Sequence, residues 1–322
     1  MNRNKGVNLG IIGLGRISKY WINAIDNHSQ MKLIAASDLD SSKSPSDKGI
    51  TFYQSADDML SHEQELDAVI VASPTHDHFE SGIKVLESGN HLIMEKPSAE
   101  SFSQFTKLLE ISRKQSALFY NAFHFIHSPE IVWFLGQLES LTRRMGSPSS
   151  FYSAFFDEYF EDGKLKSGTG SLVGSWLDSG INAISILFSI FPGLTLDTAL
   201  IGNGIEGELS DIVSTASFWY PRMGSMGGRG NLVTSWAIGS SLKFTEIFFG
   251  DVGKEVRLDH SAQTVTLSDS TGEGEILYAF RGENRLQSHY NGLINELFEN
   301  LIDETDNSER ASSIYSILFE AV

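Results

Sequence analysis

A glycine-rich turn near the start of the chain has residue types and spacing suited to holding phosphates. Gly13-Leu14-Gly15-Arg16-Ile17-Ser18 follows a short apolar run and precedes a stretch with helical periodicity. In such a turn the first glycine permits a tight bend, and the second lets the backbone approach a pyrophosphate. The third small residue allows close packing of helix and strand. Ser18 stands where a third glycine or alanine is usual, but the strand–turn–helix context favours a dinucleotide site whose phosphates face the helix N-terminus.

Asp38 extends this pattern, because it lies twenty positions beyond the last residue of the turn, at the end of the second predicted strand. A carboxylate there accepts hydrogen bonds from both ribose hydroxyls and repels a 2′-phosphate, which favours NAD over NADP. Leu39 is not the arginine that would hold a 2′-phosphate. Lys43, with Ser41 and Ser42, is compatible with NADP as the cofactor. The alternative for Asp38 is a solvated turn residue at a strand end.

Lys96 is the main candidate for proton transfer. It lies in Glu95-Lys96-Pro97 at the end of a predicted strand, and the ends of parallel strands face the ligand crevice. A cationic nicotinamide and partial burial would both lower the pKa of this lysine, which suits a proton donor or acceptor near neutral pH. The alternative is a solvated surface lysine, the usual state of this residue type.

Several histidine and aromatic positions are compatible with either a functional or a structural role. His124 and His127 flank Phe125-Ile126, and a contact with substrate and a structural role are both compatible with their positions. His76 and His78 bracket an aspartate without a further ligand at helical spacing, so we predict no metal site. Core packing is the expected role of Trp176 and Trp219. For the pair His289-Tyr290, a position facing the cleft and a position in the core are both compatible with the sequence.

The first third of the chain is predicted to form the parallel sheet that would position the turn, Asp38 and Lys96. Short apolar, β-branched runs alternate with helical patterns, which is the order of repeated strand–helix–strand units. The predicted strands are 7–12, 31–37, 66–72, 91–94 and 117–120. The predicted helices run from the glycine turn to about 27, then over 79–88 and 98–114. The fold class is therefore α/β, with an N-terminal Rossmann-type doubly wound sheet.

The pattern changes after about residue 121. Helices are predicted over 129–143, 176–191, 285–303 and 308–322, and period-two strands over 151–156, 212–220, 232–238, 242–249, 256–260 and 264–267. We therefore predict a dinucleotide-binding domain over 1–121 and an α+β domain for substrate binding and oligomerisation over 122–322. The second domain is built on a large open, mostly antiparallel sheet. The outer face of that sheet needs cover, which predicts a homodimer or homotetramer.

Length and composition exclude several classes of protein. The chain has 322 residues, 24 Lys+Arg against 41 Asp+Glu, a net charge of −17 and no cysteine. The length fits two domains, and the negative field argues against nucleic acid and anionic membranes as partners. The lack of cysteine excludes disulfides, a thiolate nucleophile and Cys-ligated metal. No signal peptide or spanning apolar segment is evident, so a soluble, cytoplasmic protein is expected.

Four motifs together resemble the glucose–fructose oxidoreductase/inositol dehydrogenase (Gfo/Idh/MocA) family. They are Gly13-Leu14-Gly15-Arg16-Ile17-Ser18, Val71-Ala72-Ser73-Pro74-Thr75-His76-Asp77-His78, Glu95-Lys96-Pro97 and Asp178-Ser179-Gly180-Ile181-Asn182. The resemblance implies NAD(P)-dependent oxidation or reduction of a hydroxyl or carbonyl, usually on a sugar or cyclitol. It also implies a set of cofactor contacts, which are Gly13, Gly15, Arg16, Ile17, Asp38, Ser73, Pro74, Thr75, His78, Glu95 and Lys96.

The second-domain motif departs from the usual family form, Asp-x-Gly-x-His, because Asn182 stands at the histidine position. An amide cannot act as a general base at neutral pH, so proton transfer falls to Lys96, with Asp178 four residues before Asn182 on the same helical face. The Asp-x-Gly-x-Asn form is similar to the L-arabinose/D-galactose 1-dehydrogenase branch, which implies oxidation of a free aldose to an aldonolactone. By that resemblance Lys96, Asp178 and Asn182 are catalytic. The implied substrate contacts are His124, Asp157 (or Glu158), Asp178 and Asn182.

Two departures from that branch keep other substrates open. The loop over 161–170 lacks the tryptophans expected of a sugar-stacking platform, and the loop from Met223 to Gly230 has no counterpart in the branch. One alternative is a ketoreductase acting on a phosphorylated or nucleotide-linked sugar, for which the nearby cations are Arg143, Arg144, Arg222 and Arg229. A second is a non-catalytic NAD-binding regulatory sensor, although it would not need both Lys96 and Asp178. A third is a glycosidase with a closed NAD redox cycle.

Overall fold

The computed structural model describes residues 6–45, 49–161, 164–166, 173–202, 211–221, 227–250, 253–282 and 284–322. The chain divides into two compact units: Met1–Phe123 with Tyr290–Tyr315, and His124–His289 with Ser316–Val322. The first unit is therefore discontinuous in sequence. The C-terminal helices, which the sequence places in the second domain, contribute most of their residues to the first unit.

Six parallel strands form the sheet of the first unit. They are β1 (Val7–Ile12), β2 (Met31–Ser37), β3 (Thr51–Tyr53), β4 (Ala68–Val71), β5 (His91–Glu95) and β6 (Phe119–Ala122). Their order is β3-β2-β1-β4-β5-β6, so the sheet changes direction of growth between β1 and β4, where open α/β sheets bind ligands. All four residues of β4 are buried, as expected for a central strand covered on both faces. The predicted doubly wound parallel sheet is confirmed.

Four helices connect these strands: α1 (Ser18–Asp26), α2 (Ala56–His62), α3 (Thr75–Glu87) and α4 (Phe102–Gln115). In α1 the buried residues Trp21, Ala24 and Ile25 fall at i, i+3 and i+4, the spacing of a helix with one face on a sheet. Serine hydroxyls cap α2 and α4 at their N-termini. The unit also takes the middle and end of α7 (Arg285–Asp303) and the start of α8 (Ser308–Glu320).

The second unit contains an eight-stranded sheet. Its strands are β7 (Pro148–Phe156), β10 (Thr195–Ile201), β11 (Val213–Tyr220), β12 (Gly228–Ser235), β13 (Leu242–Phe249), β14 (Lys254–Asp259), β15 (Thr264–Ser268) and β16 (Gly274–Ala279), in the order β10-β11-β12-β7-β13-β14-β15-β16. The pair β7–β12 is parallel and the other neighbouring pairs are antiparallel, which confirms a mostly antiparallel sheet. A separate two-stranded sheet joins β8 (Phe160–Glu161) and β9 (Lys164–Leu165).

Two helices complete the second unit. α5 (Pro129–Met145) has proline at its first position and ends before Gly146, which has φ 84°. α6 (Ile181–Ile190) is almost wholly buried and follows a π-helical turn over Trp176–Gly180, where the sequence predicts one continuous helix. Among the described residues, the structure has no helix that is both long and apolar enough to cross a lipid bilayer.

Candidate functional site

The glycine turn of the first unit has the geometry that its sequence predicts. Gly13 has φ 92°, and a Cβ at this position would lie 2.5 Å from the backbone nitrogen of Ser73. Any other residue would therefore be strained and would clash with backbone. Ser18, in the third small position, is buried and donates a hydrogen bond from Oγ to the carbonyl of Gly15 over 2.7 Å. The hydroxyl thus ties the first turn of α1 to the glycine loop.

Asp38 braces this turn. Its Oδ2 accepts a hydrogen bond from the backbone amide of Leu14 over 2.7 Å, and its Oδ1 accepts one from Asp40 over 2.9 Å. The Lys43 ammonium lies 3.2 Å from both carboxylate oxygens. Partial burial raises the pKa of Asp38, but the two backbone amides and Lys43 outweigh that effect and hold the pKa below its ordinary value. A charged carboxylate is therefore fixed at the end of β2.

The turn fits a bound dinucleotide. A Cβ placed on Gly15 would find no protein atom within 4 Å, so the backbone here borders space in which a phosphate can approach. Arg16 is exposed and Ile17 half-buried at the start of α1. Ser73, whose backbone packs on Gly13, has a buried hydroxyl without a hydrogen-bond partner among the described residues. A bound ligand that supplies polar atoms would fit here. It could approach the open backbone at Gly15 and satisfy the hydroxyl of Ser73.

The loop after β4 joins the turn after β5 through His78. Pro74 is exposed, and Thr75 is buried at the first position of α3. His78 Nε2 lies 2.9 Å from the carbonyl of Ser73, and its Nδ1 lies 2.8 Å from the carbonyl of Pro97. Burial lowers the pKa of His78, so the neutral ring donates to one carbonyl at a time. The sequence-predicted cofactor loop and the Glu95-Lys96-Pro97 turn are therefore neighbours.

Glu95 anchors the position of Lys96. Its buried carboxylate accepts hydrogen bonds at Oε1 from Trp21 Nε1 over 2.8 Å and from the Tyr290 hydroxyl over 2.7 Å, and at Oε2 from the Lys96 amide over 3.2 Å. Burial raises the pKa of Glu95, although the three donors oppose the shift. Lys96 itself is half-buried. The structure thus places Tyr290 in the core of the first unit, on the residue next to the predicted catalytic lysine.

In the second unit, Asp178 and Asn182 lie one turn apart across the π-to-α transition. Both are largely buried, and the amide nitrogen of Asn182 donates to the carbonyl of Asp178 over 3.1 Å. A π-helical turn inside an α-helix is uncommon and frequent at functional sites. Asp211 fixes the start of this turn, because its buried Oδ2 accepts hydrogen bonds from the Trp176 amide and from the hydroxyls of Ser175 and Ser214.

Asp157 is engaged within its own unit. Its Oδ1 lies 2.5 Å from the Lys243 ammonium, and its Oδ2 accepts a hydrogen bond from Ser179 Oγ over 2.7 Å. The Trp236 indole donates to the same serine hydroxyl over 3.2 Å. Asp157 therefore braces the residue between Asp178 and Gly180. Its role as a substrate contact stays a prediction, as does that of Glu158, which accepts from the Ser241 amide over 3.1 Å.

The remaining aromatic and histidine candidates have diverse surroundings. Trp176 is buried and donates from its indole to the Leu318 carbonyl over 2.8 Å, whereas Trp219 is 38% exposed. His124 and His289 are buried with their Nδ1 atoms 3.2 Å apart. His76 is exposed and pairs with Asp77. Within the described ranges, no group of three or more His, Asp or Glu side chains could hold a metal ion.

Several residues that shape the site have no signal in the sequence. Trp21, Asp211 and Lys243 contact Glu95, Ser175 and Asp157 from positions 74, 36 and 86 residues away. The predicted residues themselves are divided between the units. The glycine turn, Asp38, the Ser73–His78 loop and Lys96 belong to the first, and His124, Asp157, Asp178 and Asn182 belong to the second.

Residues 7–123 match the model of the Gfo/Idh/MocA family, described as an oxidoreductase family with an NAD-binding Rossmann fold. A curated relative, an uncharacterised oxidoreductase, YrbE, from Bacillus subtilis (strain 168), is 34% identical over 114 residues, which are 34% of this chain and 33% of that protein. The match thus covers about a third of that relative's length.

Solved structures extend the likeness to both units. KijD10, a 3-ketoreductase from Actinomadura kijaniata in complex with TDP-benzene and NADP, has a TM-score of 0.81 at 17% identity and covers 98% of this chain and 97% of its own. D-galactose-1-dehydrogenase from Rhizobium etli has a TM-score of 0.75 at 19% identity, covering 98% and 94%. At these identities the likeness shows a shared fold. Residues 7–123 are thus similar to the NAD-binding Rossmann fold of the Gfo/Idh/MocA oxidoreductase family.

Proposed function

We propose that the protein is an NAD(P)-dependent oxidoreductase that moves a hydride between the nicotinamide and a hydroxyl or carbonyl carbon of a sugar or cyclitol. The observation that carries the proposal is the braced glycine turn: Gly13 at φ 92°, open backbone at Gly15, and the Asp38 carboxylate on the Leu14 amide. Bound at that turn, the cofactor would accept or supply the hydride. Oxidation of an alcohol then needs a protein group to take the hydroxyl proton.

Lys96 is the residue we propose for that proton, and Asp178 of the second unit is the alternative. Lys96 follows a strand end in the ligand-binding part of the parallel sheet, and Glu95 holds its backbone amide. Asn182 would orient a substrate oxygen, because its amide cannot take a proton at neutral pH. Asp157 and His124 are proposed as further substrate contacts. These roles rest on the motif resemblance.

An aldose 1-dehydrogenase that forms an aldonolactone is the most specific form of the proposal. It is supported by the Asp178-x-Gly180-x-Asn182 sequence, which spans the π-helical turn and the start of α6, and by the fold shared with D-galactose-1-dehydrogenase. The alternative is a ketoreductase on a phosphorylated or nucleotide-linked sugar. Two of the cations nominated for it, Arg143 and Arg229, lie in exposed ion pairs with carboxylates, and Arg222 lies outside the described residues. These pairs do not favour a phosphorylated substrate.

We also propose self-association through the eight-stranded sheet, as a homodimer or homotetramer. Leu200 is 70% exposed and Ile276 66% exposed on the terminal strands β10 and β16, and Val213 and Trp219 are exposed on β11. Val213 and Trp219 alternate with buried residues and so share one face of the sheet. Sedimentation equilibrium tests this, and a strictly monomeric protein at micromolar concentration would contradict it.

The activity is tested by following reduction of NAD and NADP with free pentoses and hexoses. Steady reduction is expected with an aldose, and Lys96→Met should abolish it while NAD affinity changes little. Lys32→Met, at an exposed position of β2, is the matched control and should keep wild-type turnover. Wild-type activity in Lys96→Met would refute the assignment of Lys96. Tight NAD binding without reduction of any aldose would instead favour the activated-sugar or sensor alternatives.

A further inference from the structure

A chain of hydrogen-bonded groups in the second unit runs from His124 to a backbone carbonyl. His124 Nδ1 lies 3.2 Å from His289 Nδ1, and His289 Nε2 lies 3.2 Å from the side-chain nitrogen of Gln263. That nitrogen also donates to Ser288 Oγ over 3.2 Å, and the Ser288 hydroxyl donates to the carbonyl of Arg285 over 2.6 Å. His124, His289 and Gln263 are all buried. Water therefore competes little for these bonds.

The carbonyl at the end of the chain fixes the direction of each bond, because a carbonyl can only accept. Ser288 has one proton to donate and gives it to that carbonyl, so its oxygen accepts from Gln263. Only the NH₂ end of an amide donates, which orients the Gln263 side chain with its nitrogen toward both Ser288 and His289. His289 Nε2 therefore accepts, and the single proton of a neutral His289 ring resides on Nδ1.

Two further features keep His289 neutral and fixed. Burial lowers its pKa well below the ordinary value, and electrostatic interactions with Arg285, His260 and His127 lower it further. Phe125 packs edge-on against the ring, with centroids 5.0 Å apart and planes at 64°. Nδ1–H of the neutral His289 ring then donates to His124 Nδ1. That contact leaves the proton of His124 on its other nitrogen, Nε2.

We propose that Gln263, acting through His289, holds His124 in the tautomer that carries its proton on Nε2. Gln263 and His289 are then positioning residues. In this form His124 donates a hydrogen bond from Nε2 and cannot accept a proton there. The consequence for substrate rests on the proposed function: His124 would donate to a sugar oxygen, and proton abstraction would remain with Lys96 or Asp178.

The backbone at Gln263 is consistent with this role. Gln263 follows β14 in the turn before β15 and has φ 53°, a left-handed conformation that favours glycine or asparagine. The turn is shaped by Asp259, whose Oδ1 accepts the amides of Ser261 over 2.9 Å and Ala262 over 2.8 Å. The amide of Phe280 donates to the Gln263 carbonyl over 3.0 Å. The turn thus fixes the backbone that directs the amide side chain to His289.

The tautomers can be measured without substrate. In protein labelled with ¹⁵N-histidine, ¹⁵N shifts and two-bond ¹H–¹⁵N couplings separate protonated from bare ring nitrogens, and a His124→Gln variant identifies the His124 signals among nine histidines. At neutral pH we expect His124 protonated at Nε2 and bare at Nδ1, and His289 the reverse. A proton on His124 Nδ1 in the wild-type protein would overturn the inference.

Two variants test the role of the amide. Gln263→Glu presents an acceptor to His289 Nε2 and should reverse both tautomers, while Ser288→Ala removes the group that orients the amide and should give a mixture. Gln137→Glu adds the same charge on the exposed face of α5 and should change neither ring. Unchanged His124 signals in both Gln263→Glu and Ser288→Ala would also overturn the inference, and Ser288→Ala suffices if the other variant fails to fold.

Activity separates this inference from the proposed function. If the protein oxidises an aldose, Gln263→Glu should raise KM about tenfold with a smaller change in kcat, because a donor to the substrate is lost rather than the base. Absence of sugar oxidation in the wild-type protein would refute the aldose-dehydrogenase form of the proposed function but leave the measured tautomers unaffected. The reverse tautomer in an active wild-type enzyme would refute only the inference.

Discussion

Tyr290→Phe should destabilise the first unit by an amount that depends on the charge of Glu95. Tyr290 is fully buried, and its hydroxyl donates to Glu95 Oε1 over 2.7 Å. A hydrogen bond to a charged group contributes about 1.5–3 kcal/mol, against about 0.5–1.5 kcal/mol for a neutral one. The phenylalanine ring keeps the packing against Tyr20 and Trp21. The variant therefore removes only the hydroxyl and its hydrogen bond. At ~2–4 °C per kcal/mol, loss of a bond to a charged group should lower Tm by about 3–12 °C.

The sign of the pH dependence follows from the raised pKa of Glu95. Because the folded-state pKa lies above the unfolded value, the stabilisation that accompanies protonation is present at acid pH and is lost as pH rises through the folded-state pKa. The Tyr290 hydroxyl opposes that loss by stabilising the charged carboxylate. The cost of Tyr290→Phe should therefore be larger at about pH 8 than at about pH 5, and smaller in a Glu95→Gln background.

The measurement is thermal and urea unfolding of the single and double variants at both pH values. Tyr315→Phe is the matched control, because the buried Tyr315 hydroxyl accepts a hydrogen bond from the uncharged Ser98 amide over 2.5 Å. Its cost should vary less with pH than that of Tyr290→Phe, because Glu95 is only a minor electrostatic influence on Tyr315. An equal cost of Tyr290→Phe at both pH values, or an undiminished cost in the Glu95→Gln background, would refute the reasoning.

Three further predictions test other parts of the structure. Gly15→Ala should leave Tm within about 2 °C, because the added Cβ meets no protein atom. It should weaken NAD binding, measured by calorimetry, by roughly tenfold or more. An unchanged NAD affinity would contradict the proposed approach of a phosphate to this backbone. Asp38→Asn keeps an acceptor for the turn but removes the charge, so the ratio of NAD to NADP affinity should fall about tenfold, with Lys43→Ala moving it in the opposite direction. Lys243→Met leaves the Asp157 carboxylate unpaired and should cost about 3–5 kcal/mol by urea unfolding. Adding Asp157→Asn should recover much of that loss, and no recovery would contradict the pairing.

Local patterns in the sequence predict the parallel sheet and the glycine turn. The strand over 31–37 was predicted with the bounds that the structure has, because a compact apolar run between polar segments is a strong local signal. Gly13 and Asp38 were also identifiable, since the turn needs glycine at a positive φ and a carboxylate at the next strand end. Local patterns therefore predict these features, although β3 and α2 of the same unit are not among the predicted elements.

Other features depend on residues distant in sequence. The sequence predicts neither β10 nor β16, because the residues of both strands are mostly exposed and lack a buried alternating face. The contact of Tyr290 with Glu95 spans 195 positions, so no local pattern indicates it. The sequence predicts ordinary helix at Trp176–Gly180 because the π-helical turn is held by side chains from another part of the chain, Asp211 above all.

The discontinuity of the first unit has a consequence for biosynthesis. Residues up to Phe123 leave the ribosome first, but Tyr290 and Tyr315, which satisfy Glu95 and Ser98, follow only after His124–His289. At roughly 5–20 residues per second, that intervening stretch of 166 residues takes about 8–33 s to synthesise. Throughout that interval the nascent dinucleotide-binding unit lacks its last two helices. A chaperone or a bound dinucleotide would have the greatest effect on folding yield during this interval, before the first-made part of the protein is complete.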